Sequence, residues 1–176
     1  WNFKLGLAWY DFMNIKNNVA IEDMSPSHNN RTNTMVNVSG KNYWVYDYSL
    51  FNANVEVTPW VGTIGSNSFP LKFYGDYVNN NASGVKEGTG WLVGVTFGKA
   101  GKKGTWDFGY NYRRIEKDAV LATLNDSDFH GGGTNGEGHK LSFTYALTDN
   151  ATLGLTYFRT SEESGTKYDD NTLLVD

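Results

Sequence analysis

Trp106-Asp-Phe-Gly-Tyr-Asn-Tyr112, Leu141-Ser-Phe-Thr-Tyr-Ala-Leu147 and, beyond a turn at Thr148-Asp-Asn150, Leu153-Gly-Leu-Thr-Tyr157 share one pattern. In each run every second residue is large and apolar or aromatic, and those between are Asp, Gly, Asn, Ser, Thr or Ala. A pleated strand sends alternate side chains to opposite faces, so each run builds one apolar face and one small, polar face. Trp106, Tyr112, Tyr145 and Tyr157 sit near the ends of the runs, with Leu or Phe between them. Rings with a polar handle that bracket an apolar band are what a membrane–water interface selects.

The same unit recurs outward from this stretch. Trp1, Phe3, Leu5, Leu7 and Trp9 alternate with Asn2, Lys4, Gly6, Ala8 and Tyr10. A second strand is expected from about Tyr43 to Val61, with Phe51, Ala53, Val55 and Val57 on its apolar face. Trp44, Tyr46, Tyr48 and Leu50 fall out of phase with that face, which predicts a bulge near Leu50. Leu71, Phe73, Gly75 and Tyr77 mark a third strand, Trp91, Val93, Val95 and Phe97 a fourth, and an eighth begins near Thr172. The connections run over residues 14–42, 62–70, 79–90, 99–104, 122–138, 149–150 and 161–171, and long alternates with short throughout. An up-and-down barrel of the outer membrane alternates in this way, whereas a β-sandwich has no reason to.

The expected fold is therefore all-β: an antiparallel up-and-down transmembrane β-barrel, one domain over residues 1–176, with about eight strands in this chain. Both ends fall inside alternating runs, with no initiator Met or export signal, so a piece of a longer chain and a larger barrel is expected. Composition agrees. A mean hydropathy of −0.50 and no apolar run near the ~18 residues of a membrane helix exclude a helical span but not a barrel, whose strands are apolar only at alternate positions. An aromatic content of 15% together with 20 Gly favours strands and turns. The net charge of −4 without a basic stripe argues against nucleic acid, and the absence of Cys removes disulfides and thiolate metal sites.

Periodicity does not say which face is inside, since a soluble lipocalin-like barrel also alternates. The distribution of bulk and charge decides it. The apolar face is crowded with rings at strand ends, too bulky for a small interior. The opposite face carries Lys4, Glu56, Lys72, Asp76, Asp107, Arg113 and Lys140. Facing lipid, a Lys or Arg at the bilayer midplane would cost roughly 2–4 kcal/mol. The charged face is thus expected to look into enclosed water.

Residues 106–121, Asn125-Asp-Ser-Asp-Phe129 with Gly131-Gly-Gly-Thr-Asn135, and Gly138-His-Lys-Leu-Ser-Phe-Thr-Tyr-Ala-Leu147 resemble the C-terminal part of the putative porin family of Gram-negative bacteria. Leu71-Lys-Phe-Tyr-Gly-Asp-Tyr-Val78 and Leu92-Val-Gly-Val-Thr-Phe-Gly-Lys-Ala100 are similar to it in the same order, and the resemblance covers most of residues 50–176. It implies an outer-membrane β-barrel that passes small hydrophilic solutes by diffusion. Family members are longer and close with a strand ending in an aromatic residue; here the last run halts at Asp176. The other reading is a closed eight-stranded barrel, with a structural or partner-binding role carried by its extracellular loops, because eight strands leave room only for side chains.

The seven charged residues are the pore-lining candidates, with Lys72 and Arg113 set against Glu56, Asp76 and Asp107 in a selective constriction. In a narrow barrel the same groups form a stiffening ladder of ion pairs. The acidic, Gly-rich stretch from Asn125 to Glu137 offers oxygens to Ca²⁺, but its spacing is not that of an EF-hand, and the family resemblance implies instead an ordered extracellular loop folded inward. No cofactor, metal site or catalytic residue is expected. His28, His130 and His139 lie in or next to loops, and His139 and Ser142 point to opposite faces of one strand, which excludes a direct Ser–His pair. Arg113, Arg114 and Arg159 fall near outer strand ends, where lipopolysaccharide phosphates would be met. Outer-membrane lipid is the expected surrounding, and a homo-oligomer is compatible with it.

Overall fold

A computed structural model describes residues 1–20, 32–65, 67–167 and 169–176. Its strands are β1 (Asn2–Phe12), β2 (Met35–Val38), β3 (Lys41–Trp44), β4 (Tyr48–Ile64), β5 (Asn67–Asn80), β6 (Thr89–Gly98), β7 (Trp106–Ile115), β8 (Gly136–Thr148), β9 (Ala151–Glu162) and β10 (Asp169–Val175). Eight of them form one antiparallel sheet in the order β1-β4-β5-β6-β7-β8-β9-β10, and β2 and β3 make a separate hairpin. Every neighbour in the sheet is also a neighbour in sequence once the hairpin is set aside, which is up-and-down connectivity. Among the described residues β1 and β10 do not pair, so the sheet is open and each end strand leaves one edge bare.

The strands outrun their apolar patterns. β4 and β5 together continue through most of the expected connection at 62–70, leaving only residues 65–66 between them. Backbone pairing extends a strand for as long as the ladder holds, and polar ends at an interface do not interrupt it. The register breaks between Val57 and Trp60, opposite β5, and not near Leu50. Of the out-of-phase residues, Trp44 ends β3 and Tyr46 lies in the reversal before β4, where Asp47 accepts hydrogen bonds from the backbone N–H groups of Ile15 (2.8 Å) and Lys16 (3.0 Å), while Tyr48 and Leu50 stand in β4 itself and turn into the buried core.

One end of the sheet, the loop end, carries the connections from β1 to β4, β5 to β6, β7 to β8 and β9 to β10; the other, the turn end, carries those from β4 to β5, β6 to β7 and β8 to β9. The length alternation is looser than expected, because the 99–105 turn is no shorter than the 163–168 loop. The small buried core lies at the loop end. Ala20, Trp44, Tyr48, Leu50 and Leu121 pack there, with Phe12, Ile15 and Val78 against them. Much of the expected 14–42 loop, and His28 with it, lies outside the described residues.

Candidate functional site

The cross-strand register sorts the side chains into faces. Asn54↔Asp76, Asp76↔Leu92, Leu92↔Arg113 and Arg113↔Gly138 follow one another along one row, and Lys4↔Glu56↔Tyr74↔Gly94↔Asn111↔Lys140 forms the next. All seven charged candidates therefore share a single face, because a partner in register points to the same side. The other face is Phe3, Leu5, Leu7, Val55, Phe73, Val93, Phe108, Leu141, Phe143, Leu153 and Leu155, all of them exposed. Leu141 retains 39% of its surface and Val93 54%, so neither contributes to a protein core.

Rings bracket that apolar face in two clusters. At the turn end Trp106 packs on Phe69 (5.2 Å between centroids) and Phe97 (5.7 Å), with Trp60 stacked on Phe97 (6.2 Å). At the loop end Trp91 lies 5.5 Å from Tyr112, while the Tyr110 hydroxyl meets His139 Nδ1 at 2.9 Å and Tyr112 donates to Glu137 (3.1 Å). Along β6 the two clusters are about 20 Å apart, six residues at roughly 3.3 Å each.

The charged candidates do not act alike. Glu56 lies between two lysines, 2.8 Å from Lys4 Nζ and 3.4 Å from Lys72 Nζ. Asp76 accepts from Asn52 Nδ2 at 2.8 Å, with no Lys or Arg paired to it among the described residues. Lys140 sits 5.0 Å over the Phe158 ring. Asp107 caps the turn, accepting the Ala100 N–H at 3.1 Å. Tyr74 lies across Gly94 on the adjacent strand: a Cβ there would come 2.4 Å from Tyr74 Cζ, so the ring's place depends on the missing side chain.

Residues 116–135 fold over this face. Asp126 pairs with Arg113 at 3.0 Å, the Arg113 guanidinium stands 4.4 Å above the Phe129 ring, and Phe129 meets Phe158 edge-on at 6.3 Å. Arg113 thus turns toward the polar face, while Arg114 stays on the opposite face and pairs with Glu116 (3.3 Å) and Glu163. The buried Asp118 anchors the loop. Its carboxylate accepts from Thr34 N (2.8 Å), Thr34 Oγ1 (2.6 Å) and the Tyr48 hydroxyl (3.3 Å). Asn33 Nδ2 donates to the carbonyls of Lys117 (2.9 Å) and Val120 (2.7 Å), and Asn80 Nδ2 to that of Asp118 (2.9 Å). His130, buried, has Nδ1 3.1 Å from Thr160 Oγ1.

Between loop and sheet lies a recess of about 410 Å³, walled by Asn52, Asp76, Leu92 and Arg113 from the strands and by Val120 and Leu124 from the loop. The loop's carboxylates do not converge as a Ca²⁺ site would require. Asp126 is held by Arg113 and Glu137 by Tyr112, and no group of three or more His, Asp or Glu gathers among the described residues. The sequence reading missed Asn33, Asp118 and Phe129, since nothing local marks an Asn or Asp in a loop as the buried anchor of two other loops.

No curated protein and no solved structure matches the chain. A family model does, over residues 37–176, and that stretch holds β3 to β10 together with the inward loop. The chain belongs to the family described as Putative porin.

Proposed function

We propose that the chain is part of the wall of an outer-membrane porin, its apolar face in lipid and its charged face lining a water-filled path for small hydrophilic solutes. One observation carries this reading: each strand of the sheet leaves large apolar side chains exposed, while the inward loop covers the side that bears the charges. A soluble fold would do the reverse, because burial of apolar surface is its main stabilising term.

The bare edges of β1 and β10 favour a barrel larger than eight strands. Each unpaired backbone group facing hydrocarbon costs several kcal/mol, so in a bilayer both edges must be paired, by further strands in a wider barrel or by each other in a closed eight-stranded one. A wider cylinder also leaves room for the loop at 116–135, which a closed eight-stranded one would have to accommodate among packed side chains. The charged rows then act on solutes by electrostatics and the loop by narrowing the path. No covalent step is involved.

Planar-bilayer recording of the native polypeptide tests the proposal. Ohmic current steps in KCl are the expected result, and a protein that inserts and never conducts would overturn it in favour of the closed, loop-presenting barrel.

A further inference from the structure

The recess under the loop is not uniformly polar, and that sets it apart from the rest of the charged face. Its volume of about 410 Å³ is in the range of small-molecule sites. Its wall is mostly apolar, with Leu50, Val78, Leu92, Ile115, Val120 and Leu124 among the residues that line it. A path that only conducted water and ions has no use for so much apolar surface. Two charged groups of opposite sign break into it. Asp76 and Arg113 stand in one cross-strand row with Leu92 between them, two strand spacings or about 10 Å apart at the backbone.

Both retain capacity for a ligand. Asp76 accepts from Asn52 through Oδ1, which leaves Oδ2. Among the described residues Arg113 pairs with Asp126 through Nη1, which leaves the donors of Nη2. Asp126 and the Phe129 ring hold the guanidinium in place, so its position is set before any ligand arrives. The two groups lie too far apart to neutralise each other directly, and the side chain between them is apolar.

We infer that this recess is a binding point for small zwitterions with an apolar body, such as short apolar peptides. The ammonium meets Asp76, the carboxylate meets Arg113, and the side chains lie against Leu92, Val120 and Leu124. The inference rests on the polar face being a solute path and names the class of solute that the path retains. Charge-assisted hydrogen bonds at both ends supply the selectivity, and the apolar wall alone would not distinguish a zwitterion from its capped derivatives.

Saturation-transfer NMR on the native polypeptide in detergent micelles tests it, with leucyl-leucine, its N-acetyl derivative and its C-terminal amide as probes. The free dipeptide should bind about tenfold or more tightly than either capped form, the loss that follows from removing one charge-assisted hydrogen bond. Asp76→Asn should abolish the preference for the free amine while keeping the preference for the carboxylate. Arg113→Gln should do the converse, and Arg113→Lys should retain part of the carboxylate preference. Among the described residues Asp76 bonds to the strand residue Asn52 and not to the loop, so the Asp76→Asn result stands even if Arg113→Gln loosens the loop. Equal binding of the three probes, no binding, or an Asp76→Asn variant with unchanged ratios would overturn the inference. Bilayer current separates it from the porin reading: conduction without discrimination refutes this site alone, and discrimination without conduction refutes the diffusion path alone.

Discussion

Arginine in place of Val93 puts the lipid-facing reading to its most direct test. Val93 lies between the two ring clusters on β6, opposite Gly75 on one side and Tyr112 on the other, and is 54% exposed. In water such a site is ordinary surface, and the substitution would change stability by about 0.5 kcal/mol or less. In a bilayer the same side chain meets hydrocarbon just inside the loop-end rings, where an Arg costs up to about 2–4 kcal/mol, the midplane figure. That difference moves the folding equilibrium by up to about 30- to 900-fold. Thr96→Arg is the matched control, since Thr96 pairs with Lys72 and Gly109 on the charged face of the same strand. Each variant of the native polypeptide would be refolded into lipid vesicles and titrated with guanidinium, with Trp fluorescence reporting the transition. Val93→Arg should lower the midpoint strongly and Thr96→Arg little. If Val93→Arg is as stable as the wild type, or the two variants lose equally, the assignment of faces is wrong.

Three further outcomes are expected. Asp118→Ala leaves the Thr34 amide, the Thr34 hydroxyl and the Tyr48 hydroxyl without their buried acceptor. It should raise amide exchange at 116–122 and at Thr34 by at least tenfold, as loss of bonds worth about 1.5–3 kcal/mol each implies, while leaving the mid-strand amides protected. Glu56→Gln removes the carboxylate between Lys4 and Lys72 and should shift the reversal potential in a KCl gradient toward anions, an effect that shrinks as salt rises. Gly94→Ala drives a Cβ into Tyr74 and should destabilise by about 1–3 kcal/mol; in a Tyr74→Ala background the same change should cost far less, a coupling that a double-mutant cycle in vesicles reads directly.

Alternation along the chain was enough to assign the eight strands of the main sheet, their antiparallel order and the sharing of one face by Lys4, Glu56, Lys72, Asp76, Asp107, Arg113 and Lys140, but not the β2–β3 hairpin inside the expected 14–42 loop. That information is local: a period of two fixes the side of the sheet for every residue of a strand, and short turns fix which strands are neighbours. The ring-rich ends of the same strands are the basis on which lipid is proposed as the environment of the apolar face, because Trp and Tyr placement in a membrane barrel follows the interface. The register shift between Val57 and Trp60 was not readable, since it depends on how β5 pairs with β4 and not on the composition of either strand. The family resemblance suggested an inward-folded loop, but not its anchoring, which hangs on Asp118, Asn33 and Asn80 meeting across some 85 residues of sequence. Arg113 shows the division most clearly. The pattern put its side chain on the charged face; only the returning loop decided that Asp126 and Phe129 would hold one side of its guanidinium and a recess would open at the other.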